Sequence, residues 1–242
     1  MTGGKFERSE LLAGEEAVRK FGKAKILLFG LGGVGSFVFE ALLRSGALNL
    51  TVVDGDTVNE SNFNRQLLAD ERTLDKWKAE AAKERAKIIN EEAVIFSVAE
   101  YFTKDNADKI DFAQYDYVVD CIDTVSAKLI IAKKCNSSGT PVISCMGTGK
   151  KLNPQFLRVA DISQTHNCPL ARVMRRELKK AGIKKLKCVY SPEKSKIAAA
   201  SACGRKQPVP SMIFVPAAAG LLIAAEVFRD ITEKKLQITN DK

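Results

Sequence analysis

The stretch Lys25-Ile-Leu-Leu-Phe-Gly30-Leu-Gly32-Gly33-Val-Gly35-Ser36 decides how this chain folds. An apolar run of β type leads into glycines at 30, 32 and 35, the spacing G-x-G-x-x-G. In that pattern small residues let the backbone turn tightly and approach a phosphate at a helix N-terminus. Residues 34–45 then place Phe37, Val38, Ala41 and Leu42 at helical spacing. A second strand-like run, Leu50-Thr-Val-Val-Asp54, ends in a carboxylate suited to ribose hydroxyls. The glycine loop alone is a weak signal; a strand before it and a helix after it make it a nucleotide site.

The alternation continues outward from this stretch. A short helix is expected over residues 14–22 and another over 75–90, rich in Ala, Glu and Lys. Strands are expected over 94–98, 117–121 and 142–144, with a helix over 126–138. Strands alternating with helices predict an α/β fold with a doubly wound, mostly parallel, Rossmann-like sheet. After Gly147-Thr-Gly149 the alternation loosens through residues 155–160, a basic helix over 169–181 and a run over 187–190. Residues 191–210 combine Pro, Lys, Ser and Ala and read as a loop. Residues 212–225 read as a buried helix with Pro216 in its first turn. There Ala217, Ala218, Ala219 and Gly220 permit close approach of another element, a second subunit being one candidate.

With 242 residues, 45% of them apolar and 28% charged, the chain has room for one large domain and reads as globular. Its first residues lack the basic-then-apolar order of a signal peptide. The long apolar stretch near the C-terminus is interrupted and falls short of the ~20 residues a membrane span needs. A cytoplasmic protein with no membrane partner is expected. The six cysteines, at 121, 135, 145, 168, 188 and 203, never approach C-x-x-C spacing, which argues against structural zinc. Cys121, Cys135 and Cys145 read as small buried hydrophobes, whereas Cys168, Cys188 and Cys203 lie in or beside a basic region of the kind that lowers a thiol pKa. A single histidine, His166, argues against a Ser-His-Asp hydrolase or a histidine-rich metal site.

Residues 172–206 carry twelve Lys or Arg against Glu177 and Glu193, a local charge of +10 in a chain whose total is +9. The rest is near neutral, so the excess belongs to one basic extension in the C-terminal third. Over 169–181, Leu170, Val173, Met174 and Leu178 share a helical face, leaving Arg172, Arg175, Arg176, Lys179 and Lys180 outward. A charge run is ordinarily a solvated face; concentration of the entire net charge in one segment favours a nucleic acid partner.

After the second strand, Asp54-Gly-Asp56-Thr-Val58 leads into Ser61-Asn62-Phe-Asn64-Arg65-Gln66. Arg65 can grip phosphate oxygens bidentately, and Lys78 can add a point charge. These groups suit a triphosphate and have no evident task in a nicotinamide-dependent dehydrogenase. Asp120-Cys-Ile-Asp123 ends a strand at the edge where open α/β sheets bind ligands, so Asp123 is a candidate for Mg²⁺. The competing role for Asp123 is capping of the helix that follows.

These motifs resemble those of the ubiquitin-activating-enzyme-like, ThiF-type superfamily of adenylating proteins. The match rests on Gly30-Leu-Gly32-Gly33-Val-Gly35, Asp54-Gly-Asp56-Thr-Val58, Asn62-Phe-Asn64-Arg65-Gln66, Lys78 and Asp120-Cys-Ile-Asp123. Within it, Phe6-Glu-Arg8-Ser-Glu-Leu11-Leu-Ala-Gly14 and Cys168-Pro-Leu-Ala-Arg172-Val-Met-Arg175 are similar to the tRNA threonylcarbamoyladenosine dehydratase branch. The resemblance implies one adenylating domain over residues 1–242, with a nucleotide-binding half over 5–150 and a substrate-side and dimerisation half over 151–232. It implies ATP and Mg²⁺, with Asp54 on the ribose, Arg65, Gln66 and Lys78 on phosphates, and Asp123 on the metal. Arg8 matches an arginine that reaches the nucleotide of a partner subunit, so a homodimer is implied. The substrate would be the threonyl carboxylate of threonylcarbamoyladenosine in tRNA, activated as an acyl-adenylate and then cyclised. The alternative is an activator of a ubiquitin-like or sulfur-carrier protein C-terminus, and a sulfur-transfer protein is a further partner compatible with the family.

Overall fold

In a computed structural model, which describes residues 4–194 and 209–233, two short helices lead the chain into its sheet. These are α1 (Glu7–Ala13) and α2 (Glu15–Lys23), joined through Gly14 at φ 89°. Helix α1, which the sequence left unassigned, buries none of its side chains. Helix α2 buries Val18 and Phe21 and delivers the chain to β1 (Lys25–Phe29). Next come α3 (Gly35–Arg44), β2 (Asn49–Val53), α4 (Lys78–Ile89) and β3 (Val94–Val98). Then follow β4 (Tyr117–Asp120), α5 (Val125–Ser138), β5 (Val142–Cys145) and β6 (Arg158–Asp161). Helix α6 (Pro169–Lys180), β7 (Lys187–Tyr190) and α7 (Phe214–Glu233) close the described chain.

The strands form one seven-stranded sheet in the order β3-β2-β1-β4-β5-β7-β6. Every pairing is parallel except β6 with β7. β1 alternates between two cores, as a strand covered on both faces must. Ile26 and Leu28 join α3, α4 and α7, while Leu27 and Phe29 join Phe102, Phe112 and α5. A third cluster around Met174, Leu178 and Cys188 seats α6. The chain passes from β1 to β2 and β3 on one side and then returns to β4 on the other. Ligands of open α/β sheets sit outside the strand ends at such a reversal of order, here between β1 and β4.

Helix α7 extends beyond its expected end at 225 because its charged last turns have partners. Lys187 in β7 bonds both Glu226 and Asp230, at 2.6 and 2.8 Å, and the Tyr117 hydroxyl donates to Asp230 at 2.6 Å. The element that Gly220 approaches is α3 of the same chain: a Cβ there would lie 2.7 Å from the Val34 carbonyl oxygen.

Glu40 on α3 ties α4 to α3, accepting from Arg85 at 2.8 and 3.0 Å and from Arg44 at 2.7 Å. Burial alone would raise its carboxyl pKa, but the guanidinium groups of Arg85 and Arg44 outweigh burial and hold it below the ordinary range. A carboxylate depressed in the folded state stabilises above its unfolded pKa, and that contribution is lost as pH falls through the folded value. Glu40→Gln is therefore expected to cost about 2 kcal/mol at neutral pH. Urea midpoints of the two proteins should converge below the usual carboxylate range; an equal gap at neutral and acid pH would contradict this.

Candidate functional site

A cavity of about 1010 Å³ opens at the reversal point and is lined by Gly30, Gly32, Gly33, Asp54, Lys78 and Asp123 among others. The glycine loop explains how backbone reaches it. Gly30 has φ 83°, and a Cβ there would sit 2.9 Å from the carbonyl carbon of Cys121. Gly35 opens α3 so close to the loop that a Cβ would lie 1.7 Å from the Gly30 carbonyl oxygen. Gly35 therefore closes the turn and is not part of the cavity lining. At Gly32 nothing lies within 4 Å of an added Cβ, so the backbone there faces open space.

Asp54 follows β2 and accepts from the backbone N–H of Leu31 at 2.6 Å and of Asp56 at 2.8 Å. Burial dominates over Lys78 and these N–H groups and raises its carboxyl pKa. Each oxygen retains a lone pair for a ligand hydroxyl. Residues 56–58 run against 76–78 through a Thr57–Trp77 bridge, with Lys78 N–H donating to the Asp56 carbonyl at 3.0 Å. That short ribbon places Lys78 as the first residue of α4, with only 4% of its surface exposed. Its ammonium lies 2.8 Å from Asp56 Oδ2, and Tyr101, which the sequence reading missed, donates to Asp56 Oδ1 at 2.5 Å. Burial would raise the Asp56 carboxyl, but Lys78 and Tyr101 outweigh it and hold it low. Asp56 is thus the holder of Lys78, and Tyr101 is the holder of Asp56.

The next loop divides between cavity and scaffold. Arg65 and Gln66 line the cavity. The Arg65 guanidinium donates to the Ser61 carbonyl at 2.6 Å and to Asn64 Oδ1 at 2.8 Å, which aims it while leaving donors free for phosphate. Asn62 lines the cavity too, yet its Oδ1 accepts from Asn59 N–H at 3.2 Å in a capping box. Asn64 is not in the lining; its amide donates to the Ser211 carbonyl at 3.0 Å and holds the segment that enters α7. Asp123 is exposed to the cavity and does not cap α5, whose N-cap is Thr124. Its contact is the Thr124 hydroxyl at 3.3 Å.

On the side of β5, away from the nucleotide loops, Met146, Gly147, Thr148, Gly149 and Ser211 form another wall. Cys121 and Cys145 also reach it, but burial raises both thiols, Cys145 to about 12, so neither is a thiolate near neutral pH. The same holds for Cys188, pushed up to about 12 by burial, and Cys168 is buried. Cys203 lies outside the described residues. His166 sits outside the lining, 3.3 Å from the Tyr190 hydroxyl.

Helix α6 begins at the cavity, where Leu170 joins the lining, and carries its cations away from it. Arg172, Arg176, Lys179 and Lys180 are exposed. Glu177 pairs with Arg176 at 2.8 Å and Lys180 at 3.0 Å. Arg175 departs from the outward set: its guanidinium donates to the carbonyls of Ile162 at 3.2 Å and Thr165 at 2.8 Å. Arg175 therefore ties α6 to the turn over residues 162–165 and is not one of the outward cations. Arg8, on α1, is exposed and does not line the cavity of its own chain.

Residues 6–241 match the ThiF family model. The tRNA threonylcarbamoyladenosine dehydratase of Bacillus subtilis is 35% identical over 238 residues, covering 93% of this chain and 94% of that protein. The enzyme of the same name from Escherichia coli is 34% identical over 197 residues, covering 78% and 74%. Crystal structures of the Escherichia coli enzyme with AMP and with ATP superpose with TM-scores of 0.89 and 0.88 at 30% identity, each covering 96% of both chains. With more than nine-tenths of its length shared, the chain belongs to the ThiF family, among the tRNA threonylcarbamoyladenosine dehydratases.

Proposed function

We infer that this chain is an ATP-dependent tRNA threonylcarbamoyladenosine dehydratase. The observation that carries the reading is convergence of Lys78, Arg65 and Asp123 on one cavity at the sheet's reversal point, in a chain similar over 93% of its length to an enzyme of that name. Asp54 takes the ribose hydroxyls, and Arg65, Gln66 and Lys78 take the phosphates. The threonyl carboxylate attacks the α-phosphorus; a P–O bond forms, the bond to the bridging oxygen breaks, and pyrophosphate leaves. Negative charge spreads over the equatorial oxygens, where preplaced cations stabilise it most. The substrate's own carbamoyl group then attacks the activated carbonyl. AMP departs with the carboxylate oxygen, the carbamoyl group loses a proton, and the nucleoside has lost one water. The intramolecular attack has high effective molarity and needs no protein nucleophile, in keeping with the protonated thiols.

Mg²⁺ fits the donor set. Among the described residues no three His, Cys, Asp or Glu cluster into a metal cage, whereas Mg²⁺ is commonly bound by one or two carboxylates together with substrate phosphates. Asp123, uncapped and facing the cavity, would be that carboxylate, and the ion would neutralise phosphate charge. Residues 5–150 act as the nucleotide-binding half and 151–232 as the substrate-side and dimerisation half of one domain. A homodimer accounts for α1, where Leu11 and Leu12 stand 82% and 90% exposed beside Arg8. No described helix is long and apolar enough to cross a membrane, and we place the enzyme in the cytoplasm with tRNA as its partner; a sulfur-transfer protein is compatible with the family.

The test incubates the protein and Mg-ATP with modified or unmodified tRNA and measures AMP and the nucleoside mass. Loss of one water with stoichiometric AMP is expected for modified tRNA alone. Turnover that ignores tRNA and follows a carrier protein's C-terminus would assign the alternative. The footprint has its own test. Neutralising Arg172, Arg176, Lys179 and Lys180 should weaken tRNA binding and lower the salt slope by about one per lost phosphate contact, with ATP affinity unchanged. Arg175→Ala should instead lower the urea midpoint.

A further inference from the structure

A buried ionic node lies directly beneath the cavity and is not used by the reaction as described. Lys128 on α5 is 0% exposed and Asp120 and Ser144 are each 1% exposed. The Lys128 ammonium donates to Asp120 Oδ2 at 2.9 Å and to Ser144 Oγ at 3.0 Å, and the Ser144 hydroxyl donates to the same Oδ2 at 2.6 Å. Asp120 Oδ1 accepts from Ile122 N–H at 3.2 Å. Asp120 and Ser144 are cross-strand partners at the C-terminal ends of β4 and β5.

Stability does not explain the node, because a buried ion pair repays its desolvation poorly compared with apolar side chains of the same volume. Its position does. Asp120 is followed at once by Cys121, Ile122 and Asp123, and Ser144 by Cys145, Met146 and Gly147, all of them in the cavity lining. One carboxylate therefore fixes the turn that carries Asp123 and, through Ser144 and Lys128, the strand that launches the wall on the β5 side.

We propose that Lys128, Asp120 and Ser144 are positioning residues that set the spacing between the nucleotide wall and the acceptor wall for attack on the α-phosphorus. This rests on the proposed function, with Asp123 beside the phosphates, and takes residues 146–149, the wall on the β5 side, as the acceptor side. In-line attack is sensitive to such spacing, since a misplacement of ~1 Å can cost ~10²-fold in rate.

The test compares Ser144→Ala, Ser144→Thr and Lys128→Met with the unmodified enzyme, with Asp123→Asn as a control on the site itself. For Ser144→Ala, kcat for AMP formation is expected to fall between about 10-fold and 10²-fold, with the calorimetric ATP Kd and the tRNA KM within about twofold. Ser144→Thr, which keeps the hydroxyl, should regain most of the loss. Lys128→Met should show the same split between kcat and KM in whatever fraction remains folded by its urea transition. A wild-type kcat in Ser144→Ala overturns the proposal, as does a threonine variant that folds normally yet loses as much as alanine. If Asp123→Asn retains full turnover, the reading of the site fails; if it is inactive while Ser144→Ala is unaffected, the node alone is refuted.

Discussion

Lys78→Met is expected to lower the rate of AMP formation by about 10³-fold, the scale set by removal of a preorganised group aimed at transition-state charge. Methionine matches the lysine stem in a position almost fully buried, so the folded state should persist. The ground-state loss should be smaller, with ATP affinity falling by less than the rate, because the phosphate charge that Lys78 meets grows during attack. Lys78→Arg should not restore activity: the short ribbon through Thr57 and Trp77 delivers a compact ammonium to Asp56, and a planar fork has a different reach. Single-turnover pyrophosphate release, with ATP binding measured by calorimetry, separates the two effects. A methionine variant within tenfold of wild type would remove Lys78 from the chemistry.

The parts of this site that the sequence disclosed are those imposed by local backbone geometry. A positive φ at Gly30 and the near contact of Gly35 with the Gly30 carbonyl demand glycine wherever this turn occurs, so the pattern can be read without the fold. Strand boundaries were legible for the same local reason, and β3 falls on residues 94–98 as periodicity required. What stayed hidden depends on pairings between distant positions. Tyr101 meets Asp56 across 45 residues, and nothing in its loop announces a carboxylate. Lys128 is one of several lysines in its helix and nothing in the helix's own sequence marks it for burial; Asp120 and Ser144, which arrive from two strands, make that burial tolerable. Arg175 shows the reverse error: helical periodicity placed it with the outward cations, while the adjacent turn at Ile162 and Thr165 offered carbonyls that drew it in. Asn62 and Asn64 belong to a motif whose residues look alike on paper, yet one caps a turn and the other holds Ser211.

Arg8→Glu is expected to be as damaging as loss of Lys78, although Arg8 touches nothing in the cavity of its own chain. In the proposed homodimer Arg8 enters the partner's site, where an arginine supplied in trans contributes ~10³-fold or more to related phosphoryl transfers. Reversing its charge would repel the phosphates it is meant to attract. Mixing tests the geometry more sharply than rate alone. A twofold dimer of Arg8→Glu with Lys78→Met contains one site with both defects and one with neither, since each chain supplies what the other lacks. Co-expression in equal amounts makes about half the dimers mixed, so about one quarter of wild-type activity should return from two variants that are inactive separately. If Arg8 acted within its own chain, every site in the mixed dimer would carry one defect and the mixture would stay inactive. The recovered fraction therefore reports whose nucleotide Arg8 serves, independently of how large its contribution to the rate proves to be.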